Sequence, residues 1–456
     1  MLGVIGGSIL CLYSPEAYPQ QTPALTRILF LLDGSSSMAE AWSNTIKVEA
    51  AKKVITRIAD SLNASGNVQL ALRVYGHQYI VSDHNCTDTK LEVPFASHNA
   101  AGIRKALSTL HPKGITPIAN SLEQAANDFP NDLRARNIVI LITDGEESCG
   151  GDPCAVSLKL QQRRIFLRPF VIGLSLNPDA AERMNCIGYF FNAKDPDALH
   201  TILTTTVDRI LSSASVQVNL LDAQGRPLET DVNMTFTDAG MGAIRYQFYH
   251  TITNSGVPDT MELDPVPAYA ITVHTTPPTI REHLVFAAHR SDTVNIPAPQ
   301  GVLNVVLEGK TINQNLNDKI RVLVRKSGSI ETIQVQKLYE SNKYLCGLYD
   351  LEVLTLPRIT IRNVAITQSS TTTITIPIPG IASISKSFAG VGSVMMKEGN
   401  EWVKIYQLRE NSNNELIGLQ AGEYQLVFRS KFAKRTSETV VKRVFIKSGE
   451  TSTVKL

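Results

Sequence analysis

The sequence predicts two architectures in one chain: an α/β head with a mostly parallel sheet covered on both faces, then an all-β tail of about three small sandwiches. Three observations carry that prediction. Short apolar runs alternate with helix-period stretches as far as Ser212; the helical period then stops; and the remaining chain repeats a Thr-, Val- and Ile-rich pattern with Pro-rich turns. A length of 456 residues is too great for one core, so roughly two to four domains are expected. With 43% hydrophobic and 19% charged residues the chain can bury such cores. A formal net charge of +2 without long basic blocks offers nothing to nucleic acid.

Residues 1–23 join a short apolar run to Pro, Gln and other polar residues. They read as a secretory signal or leader lacking the usual basic start, with a frayed apolar N-terminus as the alternative. The head is expected over 24–212. Its strands are "RILFLL" (27–32), "VQLALRVY" (68–75), "NIVILIT" (137–143), "PFVIGLSL" (169–176) and "GYFFNA" (188–193), with "KLEVPF" (90–95) as an antiparallel edge. Three helices show apolar stripes: Ile46, Ala50, Val54, Ile58 and Leu62; Ile118, Leu122, Ala125 and Phe129; and Leu199, Ile202, Leu203, Val207 and Ile210. The tail repeats with a period of about 80 residues, longer than solenoid repeats. "AYAITVHTTP", "LYDLEVLTLP" and "EYQLVFRSK" align on Tyr269, Tyr349 and Tyr424, whose rings are expected to fill cores. The Pro-rich "IPAPQG" and "IPIPG" set the expected modules at 213–300, 301–380 and 381–456.

The stretch "ILFLLDGSSSM" (28–38) runs a buried strand straight into one carboxylate and a cluster of hydroxyls. In an open parallel sheet ligands bind beyond the carboxyl ends of the strands. Asp33, Ser35 and Ser37 stand at such an end, and two further loops should converge there: "GITP" with Thr116, and "TDGEES" with Asp144. All five donors are oxygens. That set suits a hard cation of octahedral preference, Mg²⁺ first, with Mn²⁺ or Ca²⁺ as alternatives. Two carboxylates barely neutralise a divalent ion, which leaves it able to take an acidic oxygen from another molecule. Gly34 is read as easing the turn at the strand end, and Pro117 as suiting a first helical turn.

D-x-S-x-S, the Thr of "GITP" and "TDG", in that order, resemble the metal-ion-dependent adhesion site of the von Willebrand factor type A domain. The element order over 24–212 is similar to that domain's Rossmann-like sheet, including its short antiparallel strand. The resemblance implies that Ser35, Ser37 and Thr116 face a metal that Asp33 and Asp144 contact directly or through water. "YGH", "LEVPF" and "TDGEESCGGDPCAV" further resemble secreted bacterial members of the family. The β repeats are loosely similar to transthyretin-like and carboxypeptidase-regulatory-like modules.

Other residues read more plainly. Asp33 and Ser35 as mere caps of the next helix are the alternative to a metal site. Glu146 and Glu147 are expected to be solvated loop acids, His77 a hydrogen-bonded structural residue, and Cys346 a small core residue. "CGGDPC" (149–154) is placed in the loop after Asp144, and the connectivity of Cys86, Cys149, Cys154 and Cys186 is left open. Disulfides among them would place the chain outside the cytoplasm. The chain has neither a G-x-S-x-G elbow nor a Walker G-x-x-x-x-G-K-[ST] cradle. The expectation is a non-enzymatic, secreted or periplasmic module of the cell envelope or surface that binds a protein ligand through an Asp or Glu carboxylate. The alternatives are a structural or assembly component whose metal only stabilises the fold, and a cytosolic partner of an ATPase.

Overall fold

The computed structural model describes residues 25–131, 135–163, 165, 169–253, 256–309 and 318–456, so the expected leader lies outside the described residues. In the head, β1 (Leu25–Asp33) is followed by a miniature hairpin, β2 (Ala41–Trp42) and β3 (Thr45–Ile46), and by α1 (Lys47–Leu62). Then come β4 (Val68–Tyr75), β5 (Thr89–Ala96), α2 (Ala100–Ser108) and α3 (Ile118–Asp128). Next are β6 (Ala135–Thr143), α4 (Pro153–Gln162), β7 (Phe170–Leu174), α5 (Pro178–Met184), β8 (Tyr189–Ala193) and α6 (Pro196–Leu211).

The sheet order is β5-β4-β1-β6-β7-β8. β1 is parallel to both neighbours and β5 runs antiparallel at the edge. Because side chains alternate along a strand, β1 feeds two cores. Ile28, Phe30 and Leu32 pack with the apolar stripes of α1, α2 and α6, while Leu29 and Leu31 pack with the stripe of α3 and with Leu160 of α4. The Ile118 helix and the Leu199 helix lie where their periodicity predicts. "CGGDPC" is not all loop: Pro153 opens α4, and Asp152 caps it by accepting from the N–H groups of Cys154 and Ala155, each at 3.0 Å.

In the tail one topology occurs three times. In the first unit Ala214–Leu221 is the centre of a three-stranded sheet, antiparallel to Thr260–Leu263 and parallel to Ser291–Pro297. A four-stranded sheet with Val232–Asp238 and Tyr269–Val273 in its middle covers it. The same pair of sheets recurs around Gln300–Leu307 and around Gly380–Ser385. Tyr269, Tyr349 and Tyr424 are buried in the three cores, at 0%, 1% and 2% exposure, as expected.

The head meets the first sandwich through Arg136, paired with Asp264 at 3.2 Å, and through Arg209, which donates to the carbonyl of Pro265 at 2.9 Å. Cys346 differs from expectation. It is half-buried at the joint of the first two sandwiches, where its N–H donates to Pro299 O at 2.8 Å. Among the described residues, no helix is long and apolar enough to cross a membrane.

Candidate metal centre

Asp33 ends β1 and is fully buried, because the central strand stops with a neighbour on each side. The loops around it are fastened by backbone bonds. Gly34 N donates to Tyr75 O at 2.7 Å, Ser36 N to Gly114 O at 2.9 Å, and Gly114 N to Gly76 O at 2.8 Å. These fix the "GITP" loop beside the end of β1. Gly76 has φ +66°, and a Cβ there would lie 2.3 Å from Ile115 O, so only glycine lets these loops close. At Gly34 the requirement is space rather than a turn: a Cβ would stand 2.9 Å from both Tyr75 O and His77 Cβ.

Four of the five expected donors lie in one hydrogen-bonded chain. Asp33 Oδ1 accepts from Ser35 N at 2.8 Å, and Oδ2 accepts from the hydroxyl of Thr143 at 2.7 Å. Ser35 Oγ and Ser37 Oγ are 3.0 Å apart, and Ser37 Oγ donates to Asp144 Oδ1 at 2.8 Å. Thr116 stands alongside rather than in that chain. Its N–H donates to Ser148 Oγ at 2.7 Å, and its own Oγ1 would be 3.6 Å from a Cβ on Gly145. The Thr116 and Asp144 loops therefore clasp one another. Ser35 precedes the 3-10 turn Ser36–Ala39 but makes no side-chain cap bond, so it does not act as the cap that the alternative assigned to it. Pro117 takes the N-cap position of α3 rather than its first turn.

Several neighbours escaped the sequence reading. Lys47 Nζ binds Asp144 Oδ2 at 2.7 Å and Glu40 Oε2 at 2.6 Å. Thr143 and Ser148 hold the two sides of the site, and of these only Thr143 had a local signal, the Thr of "TDG". Glu147 is not a free loop acid. It accepts from Ala119 N at 2.7 Å and from Cys149 N at 2.8 Å, tying its loop to the start of α3. Glu146 grips Arg183 with both oxygens. His77 is engaged as expected, with Nε2 2.9 Å from Glu92. Cys86 pairs with Cys149 and Cys154 with Cys186, so both cysteines of "CGGDPC" reach out to other loops.

Burial, and then the adjacent Asp144 charge, push the Asp33 carboxyl up to about 6. A buried carboxylate beside a second one favours any group that brings positive charge. Among the described residues no group of three or more His, Cys, Asp or Glu side chains is placed to hold a metal ion. Two carboxylates and three hydroxyls do fit a hard divalent ion.

The fold and the donor set define a Rossmann-like domain with an oxygen-lined site at the carboxyl end of its sheet. The model of the von Willebrand factor type A domain matches residues 28–205. The uncharacterized protein YwmD of Bacillus subtilis (strain 168) is 33% identical over 187 residues, covering 40% of this chain and 82% of that protein. YwmC of the same organism, also uncharacterized, is 29% identical over 214 residues, covering 45% and 92%. The chain therefore belongs to the von Willebrand factor type A domain family through its head. Among solved structures, the pilus adhesin SpaC from Lactobacillus rhamnosus GG aligns over 94% of this chain and 83% of its own, at 10% identity and a TM-score of 0.36.

Proposed function

We propose that the protein is a non-catalytic, divalent-metal-dependent binding or adhesion module. Asp33, Ser35, Ser37, Thr116 and Asp144 hold the ion, Mg²⁺ first and Mn²⁺ or Ca²⁺ otherwise, and an Asp or Glu carboxylate of a protein partner completes its shell. One observation carries the reading: Asp33 and Asp144 are buried together with a chain of hydroxyls between them. Among the described residues, Lys47 is the one cation bonded to the pair. The bound ion supplies an oxygen-seeking positive centre. The chain's own residues position it: Thr143 orients Asp33, and the Ser148 and Glu147 bonds set the loops of Thr116 and Asp144.

The residues that would serve as bases nearby are engaged elsewhere, Glu146 with Arg183 and His77 with Glu92, which supports binding over catalysis. The two disulfides support a secreted, periplasmic or envelope location. The modules at 213–300, 301–380 and 381–456 act as a stalk or docking surface. A second reading, in which the ion only stabilises the fold, draws on the complete burial of Asp33. Asp144→Ala would then lower thermal stability while leaving partner capture intact.

Calorimetric titration of Mg²⁺ into the full chain tests the proposal. We expect binding that Asp33→Ala weakens by about a hundred-fold or more, and capture of a partner from native extract that a chelator abolishes. No binding, or binding unchanged in Asp33→Ala, sinks it.

A further inference from the structure

Resting on that ion-site reading, we infer that Lys47 is a fixed counter-charge for Asp144, which leaves the ion more of its own charge for the partner's acid. The telling detail is which oxygen Lys47 takes. Asp144 Oδ1 turns toward the hydroxyl cluster and accepts from Ser37 at 2.8 Å, whereas Oδ2 is held by Lys47 Nζ at 2.7 Å. The two bonds use different oxygens. Lys47 therefore has no need to leave for Oδ1 to serve the site.

The lysine is built into this place. It opens α1 directly after the β2–β3 hairpin, its N–H donates to Glu40 O at 3.2 Å, and its ammonium also binds Glu40 Oε2 at 2.6 Å. Trp42 on the same hairpin donates to Ser175 Oγ at 2.7 Å, pinning the hairpin to the turn after β7. The Lys47 side chain is only 12% exposed, so water screens this pair far less than it screens the loop pair of Arg183 with Glu146, whose side chains are 60% and 39% exposed.

A carboxylate shared with an ammonium donates less to a metal. Asp33 is then left as the main undivided charge facing the ion. Two consequences of opposite sign follow from the same contact: Lys47 weakens the hold of the site on the ion, and strengthens the hold of the ion on a carboxylate from outside. A merely structural lysine would not produce that opposition; a general positive field would, and a second lysine at the rim separates the two.

Mn²⁺ binding to the full chain, followed by paramagnetic resonance, reads the first effect. Acetate binding to the Mn²⁺-loaded chain, followed by water proton relaxation, reads the second. Lys47→Met keeps the aliphatic stem and removes the charge; it should bind Mn²⁺ about ten-fold tighter and acetate at least about three-fold more weakly. Lys47→Arg should keep both near wild type. Lys113→Met is the control: this exposed lysine sits at the same rim, its N–H bonded to Gly34 O, without touching Asp144. In about 0.15 M salt it should change either constant less than about two-fold.

Unchanged or weaker Mn²⁺ binding in Lys47→Met overturns the inference, as does unaltered acetate binding. An equal response in Lys113→Met also overturns it, since net charge alone would then suffice. Should Lys47→Met fail to fold in chelator melts, Lys47→Gln carries the same comparison. Absence of Mn²⁺ binding in the wild type removes the ion site itself. Loss of only the Lys47 effect leaves that site standing.

Discussion

At the end of β1 the head buries Asp33 completely beside Asp144, and the bonds that reach Asp33 come from a hydroxyl and a backbone N–H. In the third sandwich Glu415 and Lys386 are as deeply buried, with side chains 3% and 0% exposed, but they face each other at 3.1 Å. Glu415 also accepts from Arg409 N at 2.8 Å and Tyr406 Oη at 3.3 Å, while Lys386 donates to the carbonyl of Arg409. The tail thus closes its buried charges upon themselves. The head closes Arg73 on Asp128 in the same way, at 2.6 Å, but where three loops meet it leaves Asp33 without a cationic partner, and Lys47 is the one cation bonded to Asp144 among the described residues. Burial of polar groups alone does not mark a site; burial without balance does.

Removing one acid from each region should therefore change stability in opposite directions. Glu415→Gln strands the Lys386 ammonium in an apolar core, and a loss of about 3 kcal/mol or more is expected in urea unfolding of the full chain. Mg²⁺ affinity should not change. Asp33→Asn should abolish Mg²⁺ binding, yet in chelator at pH 7 it should stabilise the head by about 2 kcal/mol. The sign follows from the carboxyl being raised from 3.8 to about 6. Its stabilising contribution is complete below its unfolded value and is lost as pH rises through its folded one, at a total cost of about 3 kcal/mol. Asn, which accepts at only one atom, recovers part of that. Chelator melts of wild type and variant should thus diverge between about pH 4 and pH 7, and Mg²⁺ affinity of the wild type should fall below about pH 6 as protons compete. A less stable Asp33→Asn protein in chelator would mean that the head is balanced after all.

What was legible in the sequence follows the same physics. β1 and β6 were plain because strands buried on both faces carry unbroken apolar runs, Ile28–Leu32 and Ile138–Ile142, and β4 was plain despite Gln69 and the buried Arg73, which is paired with Asp128. The stripe of α1 was plain because every buried position on it is apolar. α4 was not, because its buried face is Ser157, Leu160 and Gln161, with Ser157 donating to Ile187 O at 2.7 Å and Gln161 to Ser157 at 2.8 Å. A hydrophobic period cannot reveal a polar face. α5, at seven residues, is too short to show one. In the site, Asp33, Ser35 and Ser37 are local in sequence, and Thr116 and Asp144 lie in short motifs at strand and helix ends. Lys47 carried no such signal: its role depends on the hairpin that folds it back across the site, and nothing between Ala41 and Ile46 spells that out. Glu147 was misread because its partner, the start of α3, lies 28 residues away.

The tyrosines give the smallest effect and the sharpest check on closure in the tail. Tyr269 donates to Asp264 O at 2.8 Å, Tyr349 to Leu345 O at 2.8 Å, and Tyr424 to Gln420 O at 2.7 Å, a hydroxyl returned to the backbone a few residues upstream in each sandwich. In the second and third sandwiches the residue that accepts this bond also donates to the sandwich before it: Leu345 N to Thr276 O at 2.8 Å, and Gln420 N to Leu356 O at 2.7 Å. Tyr349→Phe and Tyr424→Phe remove one hydroxyl without leaving a cavity, so each should cost about 1 kcal/mol in unfolding. The loss should appear as faster amide exchange at Leu345 and Gln420, because the same residue joins the core to the joint. The Mg²⁺ titration should be untouched in both variants. A tyrosine variant that altered ion affinity would couple the tail to the proposed ion site, and the two regions could no longer be treated as independent solutions to burying polar groups.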